Sequence, residues 1–111
     1  MDIVMTTESD VAVFSIIGHL DAVSSPELEG RLGTWFEEPG TRLVLDLNGL
    51  EYISSAGLRV ILSAAKKMKA RNGKLGLSRL QPRVREVFQV SGFSSIIPVF
   101  ETLPAALDAV R

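Results

Sequence analysis

The sequence predicts an α/β layered domain, and three observations carry that expectation. Apolar runs rich in β-branched residues alternate with segments whose apolar residues recur every three or four positions. Gly, Pro and Asn-Gly punctuation separates them at regular intervals. Leu43-Val44-Leu45-Asp46-Leu47 is almost continuously apolar, as a parallel strand covered on both faces should be.

Taken in order, Asp2 to Thr7 reads as a short strand, turned by Glu8-Ser9-Asp10 into an antiparallel partner, Val11 to Ile17, that stops at Gly18. Ser24-Ser25-Pro26-Glu27 supplies a capping hydroxyl, an early Pro and a first-turn carboxylate for a helix. Leu28, Leu32, Trp35 and Phe36 give that helix one apolar face, and Pro39-Gly40 ends it. Leu43 to Leu47 is the next strand, and Asn48 to Ile53 reads as a loop. A second helix runs from about Ala56 to Arg71 with Leu58, Ile61, Leu62, Ala65 and Met68 on one side, stopped by Asn72-Gly73. Lys74 to Ser78 is a strand, and Pro82 to Val90 a helix with Val84, Val87 and Phe88 inward. Ile96 to Phe100, broken by Pro98, is an edge strand, and Thr102 caps a last helix carrying Leu103, Leu107 and Val110. The order is ββαβαβαβα. Strands that alternate with helices need crossovers, so the sheet is mixed but mostly parallel.

Composition narrows the function classes. A chain of 111 residues, 46% hydrophobic and 23% charged, suits one domain spanning residues 1–111. Twelve Lys+Arg against thirteen Asp+Glu argue against a nucleic-acid or anionic-membrane binder acting through net charge. The absence of Cys and the single His exclude thiol chemistry, Cys-based metal sites and multi-histidine zinc sites. No apolar run approaches the ~20 residues that span a bilayer, and Met1-Asp2-Ile3-Val4 lacks the features of a signal peptide, so a cytoplasmic protein is expected.

The chemistry-bearing candidates are few. Tyr52-Ile53-Ser54-Ser55-Ala56-Gly57-Leu58 leads from the buried strand into the second helix, and sites in open α/β sheets cluster beyond the carboxyl ends of strands. Its two hydroxyls serve either as helix caps or as a modification or anion site favoured by free N–H groups. The segment lacks the glycines and Lys of a P-loop and the leading glycine of a nucleophile elbow. His19 reads as a turn residue. A triad of Ser55, His19 and Asp21 can be written down, but no oxyanion motif accompanies it. Asp46 interrupts an apolar strand and needs a partner if buried, and Lys66, Lys67, Lys69 and Arg71 complement the dipole at the end of their helix. No catalytic set, metal site or cofactor site emerges. Binding is the expected activity.

Gly18-His19-Leu20-Asp21, Leu43 to Leu47, the run Tyr52 to Leu62 and Val90-Ser91-Gly92-Phe93 together resemble the STAS domain family, and more narrowly the bacterial anti-sigma factor antagonists. The resemblance covers nearly the whole chain and implies a STAS-like sheet with helices packed on it. It also implies a partner-switching role: the unphosphorylated protein binds an anti-sigma factor that is a serine kinase of the histidine-kinase-like ATPase class, freeing the sigma factor. Phosphorylation abolishes that binding and a PP2C-type phosphatase restores it. In the family pattern Asp-Ser-[Ser/Thr]-Gly-Leu the acceptor stands two residues before Gly, which is Ser55 here. Ser54 replaces the family's Asp and Ala56 its second hydroxyl, so Ser54 is the second candidate acceptor. The resemblance places the partner surface around this loop: Asp21, Ser24, Asn48, Ser54, Ser55, Gly57, Leu58 and Arg59. Of these, Leu58 also fits the core face, and Arg59 points away from it. The other reading the family allows is a constitutive scaffold or accessory subunit, stressosome-like or attached to a lipid transporter, without phospho-regulation.

Overall fold

A computed structural model describes all residues from Met1 to Arg111. The strands are β1 (Asp2–Glu8), β2 (Val11–Leu20), β3 (Arg42–Asp46), β4 (Leu50–Ile53), β5 (Lys74–Ser78) and β6 (Val99–Phe100). The α-helices are α1 (Ser25–Phe36), α2 (Ser55–Ala70), α3 (Pro82–Ser91) and α4 (Leu103–Val110), and a 3₁₀ turn spans Phe93–Ser95. The sheet runs β1-β2-β3-β5-β6, antiparallel only between β1 and β2, with β4 paired to β2 off that path.

Period-two alternation along the strands divides the core into two layers. Ala12, Phe14 and Ile16 of β2 and Leu43 and Leu45 of β3 pack against Leu28 and Leu32 of α1, Leu58, Ile61 and Met68 of α2, and Val84 and Phe88 of α3. Val11, Val13 and Val44 point to the opposite face and meet Ala106, Leu107 and Val110 of α4. Leu43 to Leu47 is therefore buried on both sides, which is why it lacks polar alternation.

The sequence reading missed one element. Residues 48–53 were expected to form a loop, but Leu50–Ile53 is a strand parallel to the end of β2. β2 follows β3 only as far as Ser15 opposite Asp46. Gly18 then bulges out at φ +101, a conformation open to Gly, and its N–H donates to Gly49 O at 2.9 Å. From there His19 lies opposite Tyr52 and Leu20 opposite Ile53. A turn, in which Leu50 N–H donates to Leu47 O at 3.0 Å, carries the chain from β3 to this second register. Four residues flanked by polar ones give too short a pattern to read as a strand. β2 accordingly runs to Leu20, past the Gly18 stop, and the expected strand at Ile96 shrinks to Val99–Phe100 because Pro98 has no N–H for the ladder.

Asp46 is buried, and its carboxylate finds the partner that burial demands. Arg79 Nε donates to Oδ1 at 3.1 Å and Nη2 to Oδ2 at 2.5 Å, and Ser78 Oγ and Asn48 N–H each donate to Oδ1 at 3.3 Å. The carboxylate in turn raises the pKa of the Arg79 guanidinium, chiefly through the side-chain hydrogen bond. Arg79 reaches it from a left-handed backbone at φ +56, directly after β5. Removing the guanidinium strands a charge in a low-dielectric setting. Arg79→Met is expected to destabilise the fold by about 2–3 kcal/mol, below the range for fully buried pairs because Arg79 is partly exposed. Pairing it with Asp46→Asn should recover part of that loss. Urea unfolding midpoints of the two variants check this, and a wild-type midpoint for Arg79→Met contradicts it.

Candidate functional site

The parallel pairing of Leu20 with Ile53 brings two turns out of the same end of the sheet, side by side. After β2 comes Asp21–Ser24, and after β4 come Ser54 and Ser55. Ser54 N–H donates to Leu20 O at 2.9 Å and ties them together.

The first turn is a knot of local hydrogen bonds. Asp21 Oδ1 accepts from the N–H groups of Val23 and Ser24, both at 3.0 Å. Ser24 Oγ accepts from Asp21 N–H at 2.9 Å and donates to His19 O at 2.8 Å, while Ser25 Oγ donates to Asp21 O. These bonds hold the Asp21 carboxyl below its ordinary pKa of 3.8, foremost through the Ser24 backbone N–H. Asp21 and Ser24 thus shape the loop. The residue they present is Val23, 90% exposed and an unusual site for a branched apolar side chain. Sequence reasoning missed Val23, although Asp21-x-x-Ser24 spacing is the signal of such an Asx turn.

The second turn starts α2. Ser54 is its N-cap, with an extended backbone, and its Oγ accepts from Gly57 N–H at 3.3 Å. Ser55 is the first helical residue, exposed, with its hydroxyl unengaged. Ser54 and Ser55 are adjacent in sequence but differ in role. The helix meets the sheet closely here: a Cβ on Gly57 would lie 2.8 Å from Leu20 Cγ, 2.9 Å from Leu20 O and 3.0 Å from Ile53 Cγ1. Leu58 is buried in the core and Arg59 is exposed. Gly57 and Leu58 therefore offer no side chain to a partner, because both are consumed in packing α2 onto β2 and β4.

Asn48 does not join this cluster. It sits at the head of β4, a strand of four residues and roughly 13 Å in length, where its carbonyl accepts from Gln81 Nε2 at 2.5 Å. His19 is an exposed strand residue whose Nε2 lies 3.5 Å from Glu51 and whose ring tilts against Tyr52 at 5.8 Å. It hydrogen-bonds neither Ser55 nor the Asp21 carboxylate, so the triad that can be written from the sequence is not assembled. No three His, Cys, Asp or Glu side chains come together as a metal site would require.

Two outcomes follow from this geometry. In an open helix Gly→Ala gains up to about 1 kcal/mol, but Gly57→Ala forces a methyl against a backbone oxygen and is expected to cost about 2 kcal/mol. Thermal unfolding decides, and a stabilised variant contradicts the close approach. A depressed carboxyl contributes stability that is present above pH 3.8 and lost as the pH falls through its lower folded value. Asp21→Asn should therefore be less stable than wild type at pH 7, with the gap closing below pH 3.8. A gap independent of pH removes the charge from the account.

Comparison with known proteins places this arrangement. Residues 2–106 match the model of the STAS domain family. BtrV of Bordetella bronchiseptica, a proposed anti-sigma factor antagonist, is 40% identical over 111 residues, 100% of this chain and 96% of BtrV. The anti-sigma-B factor antagonist of Bacillus subtilis is 32% identical over 96 residues, 86% of each chain. The crystal structure of an anti-sigma factor antagonist from Mycobacterium paratuberculosis superposes with a TM-score of 0.92 at 29% identity, covering 99% of this chain and 93% of that one. With a family match across nearly its whole length and relatives of this kind, the chain belongs to the STAS domain family.

Proposed function

We propose that this protein is a cytoplasmic anti-sigma factor antagonist, a binding protein and not an enzyme, switched by phosphorylation of Ser55. Unphosphorylated, it binds an anti-sigma factor that is also a serine kinase of the histidine-kinase-like ATPase class, and so frees the sigma factor. A PP2C-type phosphatase reverses the modification. The relatives' names support the antagonist role.

One observation carries the choice of residue: Ser55 is exposed with a free hydroxyl, whereas Ser54 is half-buried and committed to capping Gly57. The setting suits a phosphate. Ser55 stands at the positive end of the α2 dipole, the first turn contains no acid, and Arg59 follows one turn later on the same stripe. The domain can thus carry the charge without unfolding, and the penalty falls on the partner. A docking kinase would meet a dianion of about −1.5 to −2 charge where it had met a small hydroxyl. One poorly paired interface charge costs roughly 2–5 kcal/mol, about 30- to several thousand-fold in affinity. The contact surface we assign is Val23, Ser55 and Arg59, with Asp21 and Ser24 shaping the loop and Gly57 and Leu58 supporting it from beneath.

The test uses the anti-sigma factor kinase encoded in the same genome. Ser55→Ala is expected to bind it like the unmodified protein, and Ser55→Asp at least 30-fold more weakly. Ser54→Asp shows whether the effect belongs to Ser55. Equal affinity of the Ala and Asp variants at position 55 sinks the switch and leaves a constitutive scaffold.

A further inference from the structure

Along the C-terminal half of α2, beginning at Leu62, seven residues and roughly 10 Å from Ser55, the fold leaves an open groove of about 620 Å³. Leu62 of α2, Ile96 and Pro98 before β6 and Phe100 of β6 present its accessible apolar surface, over a floor of the buried Met68 and Ile97. Nine of its fourteen lining residues are hydrophobic and none is acidic, so its preference is for an apolar body. Its volume falls in the roughly 300–1,000 Å³ range of small-ligand sites.

Its rim is cationic. Lys66, Lys69 and Lys74 stand around the groove, exposed and without an ion pair. The neighbouring bases behave differently. Lys67 lies 5.4 Å over the Phe36 ring, and Arg71 donates to the carbonyls of Phe36, Glu38 and Gly40 at 2.8, 2.9 and 3.0 Å, so both serve the α1 side. The acid of α4, Asp108, is already held by Arg111 at 2.8 Å. The bases at the end of α2 and the start of β5 thus split into a structural pair, Lys67 and Arg71, and three lysines at the edge of an apolar trough.

We propose that this groove binds a single-chain anionic amphiphile of the fatty-acid class, the acyl chain along the accessible Leu62, Ile96, Pro98 and Phe100 and the carboxylate among Lys66, Lys69 and Lys74. An apolar floor with one-sided charge at its edge complements that ligand at both ends. The site owes nothing to the reading of Ser55.

Calorimetric titration with sodium decanoate below its micelle concentration tests it, with hexanoate and 1-decanol as comparators. Decanoate is expected to bind one to one. Each buried methylene is worth roughly fourfold in affinity, so even partial burial of the four extra ones makes decanoate at least tenfold tighter than hexanoate. The triple variant K66E/K69E/K74E, altered only at exposed positions, should weaken decanoate at least tenfold and leave decanol within about twofold. Leu62→Trp should weaken both. Absence of saturable binding, indifference to chain length or unchanged affinity in the triple variant overturns the proposal. So does an acidic amphipathic helical peptide that binds here when decanoate does not, or a self-association of this chain that Leu62→Trp abolishes.

Discussion

The arrangement depends on the handover of β2 from β3 to β4 at Gly18. A single strand cannot satisfy its backbone against β3 alone, because β3 ends at Asp46 while β2 continues for five more residues past Ser15. β4 takes up those groups, and its parallel register sets Ile53 beside Leu20. From that pairing the positions of the Asp21 turn, the Ser54 cap and the first turn of α2 all follow. Gly57 seals the joint, since no other side chain leaves room for Leu20 and its carbonyl.

Charge is distributed in keeping with this. Two carboxylates at strand ends, those of Asp46 and Asp21, are spent on structure. Asp46 locks β3 to the segment after β5 through Arg79, and Asp21 folds its own loop. What remains uncommitted at the end of β2 and β4 is a hydroxyl, an exposed valine and an arginine. A surface with few charges of its own is one on which a single added phosphate changes the potential most. The same economy holds at the end of α2 and the start of β5, where Lys67 and Arg71 are bound to α1 and Lys66, Lys69 and Lys74 are not.

Much of this was legible in the sequence, for identifiable reasons. Strong periodicity revealed α1, α2 and the doubly covered β3, and Gly or Asn-Gly punctuation revealed their ends. The short β4 was not legible, because Leu50-Glu51-Tyr52-Ile53 is too brief to show a period and its pairing is non-local. Asp46 announced that it needed a partner but not that Arg79, thirty-three residues on, would supply it. Asn48 is close to Ser54 in sequence, yet the extended β4 separates them in space. The family pattern already put Ser55 ahead of Ser54, but that Ser54 caps the helix while Ser55 is free came only with the helix start, since those roles are set by backbone geometry, not by residue type.

The most direct measurement is a phosphopeptide map of the protein isolated from its own cells under several growth conditions. Trypsin releases Leu43 to Arg59, in which Tyr52, Ser54 and Ser55 are the only hydroxyl side chains. A phosphate on Ser55 whose occupancy changes with condition is the result this account requires. An unmodified peptide under every condition, or a phosphate confined to Ser54, would contradict it.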